Sequence, residues 1–405
     1  MSERDRAVFE SIAPGRVNLI GEHIDYNNLS VLPMAVDRDT RIRFHALDEA
    51  LVRLSSPMAE FESREFPLGS PIEPAPAGDW SNYVRAAAQG LQQAGCALTR
   101  GFEGHVRGNI PVAAGMSSSS ALVVASANAL LHANDIPMPP LELAELMAQA
   151  ERYVGVAGGG MDQAASVNGR AGHALRIDFA PLGFEAIPMP EDWCWVVASS
   201  MLRAEKSAGL KQEYNQRTQD CQRALQALWS LARPSLTGRE PSYRELLSSE
   251  QGATQPAAQA QLLELAATTL DANLLARFRH VVTEAGRVQQ AQAALRTDDP
   301  RAFGALMNQS HESLRSDYQV SIPELDELVG LATANGAHGA RLTGAGFGGC
   351  VIALCPPARL EGLLAALEVA YYAPRGVDSA QDPAALAKVL FQVKAADGAR
   401  VLPAE

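Results

Sequence analysis

Lysine is nearly absent: Lys206, Lys211, Lys388 and Lys394 are the only four in 405 residues. An anion handled by the first half of the chain must therefore be met by arginine, by backbone N–H groups or by a metal. Basic charge is in deficit throughout. A formal charge of −12 and a pI near 5.2 argue against nucleic acid as a partner, because phosphate-backbone binding needs clustered Lys and Arg. A small metabolite fits better. No apolar run approaches the roughly 18 residues of a membrane span, and the charged start MSERDRAVFE reads as an unexported chain with no membrane partner. The five cysteines are scattered and odd in number, and in CVIALC a period of two sends Cys350 and Cys355 to opposite faces. A soluble, cytoplasmic monomer with reduced thiols is expected. With 47% hydrophobic residues the chain can bury ample core, and two domains are expected, divided near residue 190 where PMPEDW interrupts the pattern.

What the chain does have is a set of short chemical stretches inside an α+β pattern. TRIRFHA (40–46) and GHVRGNI (104–110) alternate like strands, and residues 57–80 read as a surface connection. PLELAELMAQAERYV (140–154) has helical spacing with Glu151 at its end. HALRIDF and CWVVAS read as strands, completing an α+β first half. The second half is mostly helical, with residues 233–259 read as a loop insertion, PELDELVGLATANG (323–336) as a helix and ARLTGAGFGGCVIALC as strand, loop, strand.

VAAGMSSSSALVV sends a run of Gly and Ser into a helix, which points consecutive N–H groups and a positive helix end at one spot. Such a loop holds a phosphate without lysine; it also reads as an N-cap before a tightly packed helix. The familiar nucleotide loops are missing. No G-x-x-x-x-G-K-[ST] occurs, and Gly344, Gly346 and Gly349 match G-x-G-x-x-G but precede a strand instead of opening a helix. In GGGMDQ three glycines clear the space around Asp162, although a turn capped by that aspartate has the same letters. Glu151 offers one carboxylate oxygen to Mg²⁺, or pairs with an arginine on a solvated face. GEHIDY packs Glu22, His23 and Asp25 behind Arg16, a donor and acceptor set suited to a polyhydroxylated ligand, though a charged turn after a buried strand would also look this way.

Taken together, these stretches are recognisable. PGRVNLIGEHIDYNNLSVLPMA resembles the galactokinase signature, GNIPVAAGMSSSSAL resembles the ATP loop of the GHMP small-molecule kinases, and RLTGAGFGGC resembles their third motif. AERYVGVAGGGMDQAAS and LMNQSH resemble the branch holding galactokinases and N-acetylgalactosamine kinases. The resemblance runs from about Ala13 to Leu354 and implies a two-domain GHMP kinase fold, 1–190 and 191–405, with the site between them. It implies an ATP-dependent sugar 1-kinase, acting on galactose or on N-acetylgalactosamine, with a non-catalytic sugar and ATP sensor as the other class. By similarity, Asp162 takes the proton of the sugar C1 hydroxyl and Arg16 lowers its pKa and braces the phosphoryl group. Glu22, His23 and Asp25 hold sugar hydroxyls, Gly159 backs the ring and Tyr214 closes over it. Gly115, Ser117, Ser118, Ser119 and Ser120 wrap the ATP phosphates with Lys206 nearby, and Ser119 with Glu151 holds Mg²⁺, Ser120 being the other candidate. Three letters depart from the common pattern: Ile24 stands where many relatives have Thr, and Asn28-Leu29 where many have Gly-Gly.

Overall fold

The computed structural model describes residues 7–58, 61–111, 115–155, 158–202, 208–232, 238–248 and 256–404. Its strands in chain order are β1 (Phe9–Ile20), β2 (Leu32–Ala46), β3 (Leu51–Ser55), β4 (Arg64–Pro67), β5 (Phe102–Gly108), β6 (His173–Asp178), β7 (Gly183–Pro188), β8 (Cys194–Ser199), β9 (Gly339–Thr343), β10 (Cys350–Cys355), β11 (Leu390–Val393) and β12 (Arg400–Pro403). They form a six-stranded sheet in the order β12-β1-β2-β5-β3-β4, a four-stranded sheet β11-β8-β10-β9 and the hairpin β6-β7. Every pairing is antiparallel except β3 with β5.

The alternating letters of β2 and β5 do form strands, and their apolar members Ile42, Phe44, Phe102 and Val106 go inward. The Ala-rich helix Ser118–Ala133 lies against β1 and β2. Ala121, Val124, Ala125 and Ala127 are fully buried there, and such small side chains let helix and sheet approach closely. Ser11 Oγ donates to Ala125 O at 2.8 Å across that contact. At the helix's N-terminal end, Arg16 N donates to Met116 O at 3.1 Å, which ties the start of the helix to the middle of β1. On the other sheet, helices Pro300–Ser313 and Pro323–Ala334 pack on β9, with Trp195 and Phe303 edge to face at 5.7 Å. The long helices Ala208–Ala232 and Ala272–Arg296 lie against each other, and Ala272–Arg296 also reaches β1.

The expected division at 190 falls between β7 and β8. The chain end crosses it, because β12 pairs with β1 and so returns to the first sheet. Part of the stretch read as a loop insertion is also structured: Tyr243–Leu247 is helical, capped by Ser242, with Tyr243 and Leu246 buried. Tyr243 Oη donates to Cys221 O at 2.8 Å, so this segment is fastened to the core and not to solvent. The helix Pro256–Thr269 takes its end.

Candidate active site

β1 is interrupted by register shifts between Pro14 and Arg16 and between Asn18 and Ile20. Such irregularities re-aim side chains. Arg16 emerges between them and grips Asp162, at the start of helix Met161–Asn168, through Nε at 2.8 Å and Nη2 at 2.6 Å. Its Nη1 donates to Gly115 O at 2.6 Å. Burial works against the arginine's charge, but Asp162, Glu22 and Asp25 outweigh it and hold its pKa above the ordinary value. The second carboxylate oxygen of Asp162 accepts from Ser117 Oγ at 2.5 Å. Thus two residues 146 apart in sequence form one charge-assisted pair, with both arginine nitrogens on Asp162 Oδ1.

The pair opens on a cavity of about 170 Å³ that the GEHIDY turn shares. Arg16, Glu22, His23, Asp25, Gly159 and Asp162 all line it, as do Ser119, Glu151 and Tyr214. Asp25 begins a single 3₁₀ turn, Asp25–Asn27, which ends on Asn28 at φ 58°. Asparagine tolerates this left-handed conformation better than other side chains do. Ile24 is fully buried in the core. Gly159 lies against the turn so closely that a Cβ there would sit 2.4 Å from Tyr26 N and 2.5 Å from Asp25 Oδ2. Burial, reinforced by the charge of Asp162, lifts the Asp25 carboxyl to about 7. Glu22 is also lifted by burial, against Arg341 and Arg16. Both ring nitrogens of His23, the residue expected to hold a sugar hydroxyl, have protein partners: Tyr26 Oη at 2.9 Å and Ala345 O at 3.1 Å. The ring of Tyr214 covers His23 and Tyr26 at centroid distances of 5.6 and 5.7 Å.

The serine loop comes to the other side of Asp162. Ser117 is the N-cap of helix Ser118–Ala133, yet its hydroxyl makes no cap hydrogen bond and turns to Asp162 instead. Ser118 opens the helix, half-buried. Ser119 lines the cavity, whereas Ser120 is buried, donates to Glu151 Oε1 at 2.7 Å and accepts from Gln163 at 3.2 Å. Ser119 and Glu151 both line the cavity, and a serine hydroxyl with one carboxylate is a hard-oxygen set of the kind Mg²⁺ takes while keeping its waters, so these residues suit that ion. Lys206 lies outside the described residues.

Opposite the serine loop stands the third glycine stretch, read from sequence as a place of close backbone approach. Gly344, Ala345, Gly346 and Phe347 line the cavity. A Cβ on Gly115 would meet Thr343 O at 2.9 Å and one on Gly344 would meet Gly115 O at 2.8 Å, both at positive φ, so each glycine is required by the other.

Several residues with no signal of their own hold this arrangement. Glu284, on helix Ala272–Arg296, accepts from Gly21 N at 2.9 Å, Glu22 N at 3.2 Å, Ser310 Oγ at 2.7 Å and Arg287 Nε at 2.6 Å. Burial opposes its charge, but Arg287, His280 and Arg341 hold its carboxyl at about 2. One turn earlier, His280 Nε2 meets Glu22 O at 3.0 Å. Arg341, fully buried in β9, donates to Asn18 O at 2.8 Å and pairs with Glu22 Oε2 at 2.9 Å, which also accepts from Gly344 N at 3.1 Å. Asn215 joins the cavity wall beside Tyr214.

Comparison with known proteins agrees with this geometry. Residues 82–170 match the model of the GHMP kinases N terminal domain, 291–373 that of the GHMP kinases C terminal and 3–44 the galactokinase galactose-binding signature. The galactokinase of Roseiflexus sp. (strain RS-1) is 38% identical over 366 residues, 90% of this chain and 88% of the relative. The crystal structure of Lactococcus lactis galactokinase complexed with galactose superposes with a TM-score of 0.83 at 31% identity, covering 98% of this chain and 95% of that one. Methanococcus jannaschii mevalonate kinase shares the fold, with a TM-score of 0.61 at 20% identity over 96% of this chain and 98% of that one. The chain belongs to the galactokinase family of the GHMP kinases.

Proposed function

We propose that this protein transfers the γ-phosphoryl group of ATP to the C1 hydroxyl of galactose, giving the sugar 1-phosphate and ADP. The observation that carries the reading is the Arg16–Asp162 pair at the wall of one cavity, with the sugar turn on one side and the serine loop on the other. Phosphoryl transfer asks a protein mainly for positioning and charge stabilisation. Glu22 and Asp25 bind sugar hydroxyls, Gly159 and Tyr214 bound the ring, and this places the C1 oxygen at Asp162. As that oxygen bonds to phosphorus and the bond to ADP breaks, Asp162 receives the hydroxyl proton. Arg16, fixed by Asp162 and Gly115 O, directs its cation at the transferring group. Amides from Gly115 to Ser120 wrap the triphosphate, a task the lysine-poor sequence leaves to backbone. Ser119 and Glu151 would hold Mg²⁺, which when bound neutralises phosphate charge.

Asp162→Asn keeps the shape of the pair and removes the proton acceptor. Turnover should fall below about one-thousandth of wild type, in a variant that still folds and keeps its ATP affinity. Near-normal turnover in that variant would remove Asp162 from the mechanism.

A further inference from the structure

Glu22 stands in the sugar turn with all but one of its polar atoms engaged by the protein. Its N–H donates to Glu284 Oε1 at 3.2 Å and its carbonyl meets His280 Nε2 at 3.0 Å, both on helix Ala272–Arg296. Oε2 accepts from Arg341 Nη2 at 2.9 Å and from Gly344 N at 3.1 Å. Both side-chain donors take the same oxygen. Oε1 is therefore the atom left to a ligand, in a residue that lines the cavity.

Arg341 reaches that carboxylate from the other sheet. It lies in β9 opposite Ile352 of β10, is fully buried and is no part of the cavity wall. Its guanidinium spans two elements, with Nη1 donating to Asn18 O of β1 at 2.8 Å while Nη2 holds Glu22. Thr343, two residues on and so on the same strand face, braces the same point: its hydroxyl oxygen accepts from Asn18 N at 3.0 Å. The head of Arg341 is thus fixed against β1 before it touches Glu22. Arg341 Nε is buried with no acceptor among the described residues. Packing alone does not account for such a side chain, since an apolar residue of similar volume is often at least as stabilising as a buried ion pair.

We propose that Arg341 is a positioning residue for sugar binding: from outside the cavity it pins Oε2 of Glu22 and so presents Oε1 to a hydroxyl of the sugar. It also supplies countercharge. Burial raises the Glu22 carboxyl, and Arg341 followed by Arg16 opposes that rise, so loss of the Arg341 cation favours the protonated form. The other groups facing Glu22 cannot replace it. Glu284, held at about 2, is an anion, and Asp25 adds a second negative charge when it ionises. His280 and His23, driven by burial down to about 4 and about 3, are neutral, as is Tyr214. The kinetic part of this inference rests on the galactose-kinase reading; the ionisation of Glu22 does not.

The test measures galactose KM, ATP KM and kcat in Arg341→Met, in Glu22→Gln and in the double variant. It adds ¹³C NMR of the Glu22 carboxyl in the ligand-free protein, assigned by the signal's loss in Glu22→Gln. Losing one buried charge-assisted hydrogen bond should raise the galactose KM in Arg341→Met about 10- to 100-fold. The ATP KM and kcat should stay within about threefold. In the Glu22→Gln background the same change should raise the galactose KM by less than about threefold, because Arg341 acts through that carboxylate. General loosening of the fold would give the full increase in both backgrounds. The titration midpoint of Glu22 should lie at higher pH in Arg341→Met than in wild type. If Arg341→Met does not fold, Arg341→Lys carries the test, since a single ammonium keeps the charge but lacks the fork that holds Asn18 O and Glu22 together. Its galactose KM should rise about 3- to 10-fold, and the rise should again vanish in the Glu22→Gln background. An unchanged galactose KM in a folded Arg341 variant, or equal increases in the two backgrounds, would overturn the proposal. A Glu22 midpoint unmoved in Arg341→Met would overturn it as well. Failure of wild type to phosphorylate galactose would sink the kinase reading, and the carboxyl titration would still decide whether Arg341 sets Glu22.

Discussion

Replacing Gly159 by alanine puts one methyl group where the structure has no room. Its carbon would lie 2.4 Å from the backbone nitrogen of Tyr26 and 2.5 Å from Cγ and Oδ2 of Asp25. Ordinary contact begins near 3.5 Å, so something must yield by about 1 Å. A backbone nitrogen cannot rotate away. The 3₁₀ turn Asp25–Asn27 must therefore retreat, carrying the Asp25 carboxylate off the sugar. Misplacement by about 1 Å at a positioning group costs about 100-fold, so kcat/KM for galactose should fall by that factor, or about 2.7 kcal/mol of transition-state stabilisation. The ATP KM should stay within about twofold. Gly158 supplies the control, because a Cβ there meets nothing within 4 Å. The assay is ADP release against galactose concentration, with circular dichroism to show that each variant is folded. A Gly159→Ala enzyme within about threefold of wild type would refute the packing argument.

Two other expectations follow from the charges of the site. Arg16→Lys keeps the charge but loses the planar fork that reaches both Asp162 and Gly115 O, so kcat should drop by about 100-fold or more in single-turnover measurements; a loss below about threefold would show that a point charge suffices. Asp25 ionises near 3.8 when exposed and about 7 when folded, chiefly through burial. The folded state thus holds an extra proton between those values, and ionising it costs stability as pH rises from about 4 to about 7. Asp25→Asn escapes that cost while losing activity, and its stability relative to wild type should improve between pH 5 and pH 8 by on the order of 2–3 kcal/mol. Denaturant melts at the two pH values check this, and an identical difference at both would contradict it.

Much of the site could be read from letters because the sugar turn, the serine loop and GGGMDQ are each continuous in sequence and made of residue types that core or solvent would not choose. Two strands of the first sheet, β2 and β5, were legible for the same kind of reason, a period of two in TRIRFHA and GHVRGNI. The supports of the site were not. His280 and Glu284 lie one helical turn apart in ANLLARFRHVVTEAGR, where a polar pair ordinarily marks a solvated face. Only the fold shows that this face meets the backbone of residues 21 and 22, more than 250 positions earlier. Arg341 was silent too, because a buried arginine depends on partners that come from elsewhere in the chain. The return of β12 to β1 has no local sign either, since RVLP is short and its partner strand lies almost 400 residues earlier. Only helix phase separates Ser119 from Ser120 in place: Ser119 lines the cavity, and Ser120 donates to Glu151 and accepts from Gln163.

The most direct test of the account is ³¹P NMR of the purified protein with ATP, Mg²⁺ and galactose. The account predicts one new sugar 1-phosphate resonance growing in equal amount with ADP. Phosphate on a different hydroxyl, or ATP hydrolysis to inorganic phosphate with galactose untouched, would contradict it.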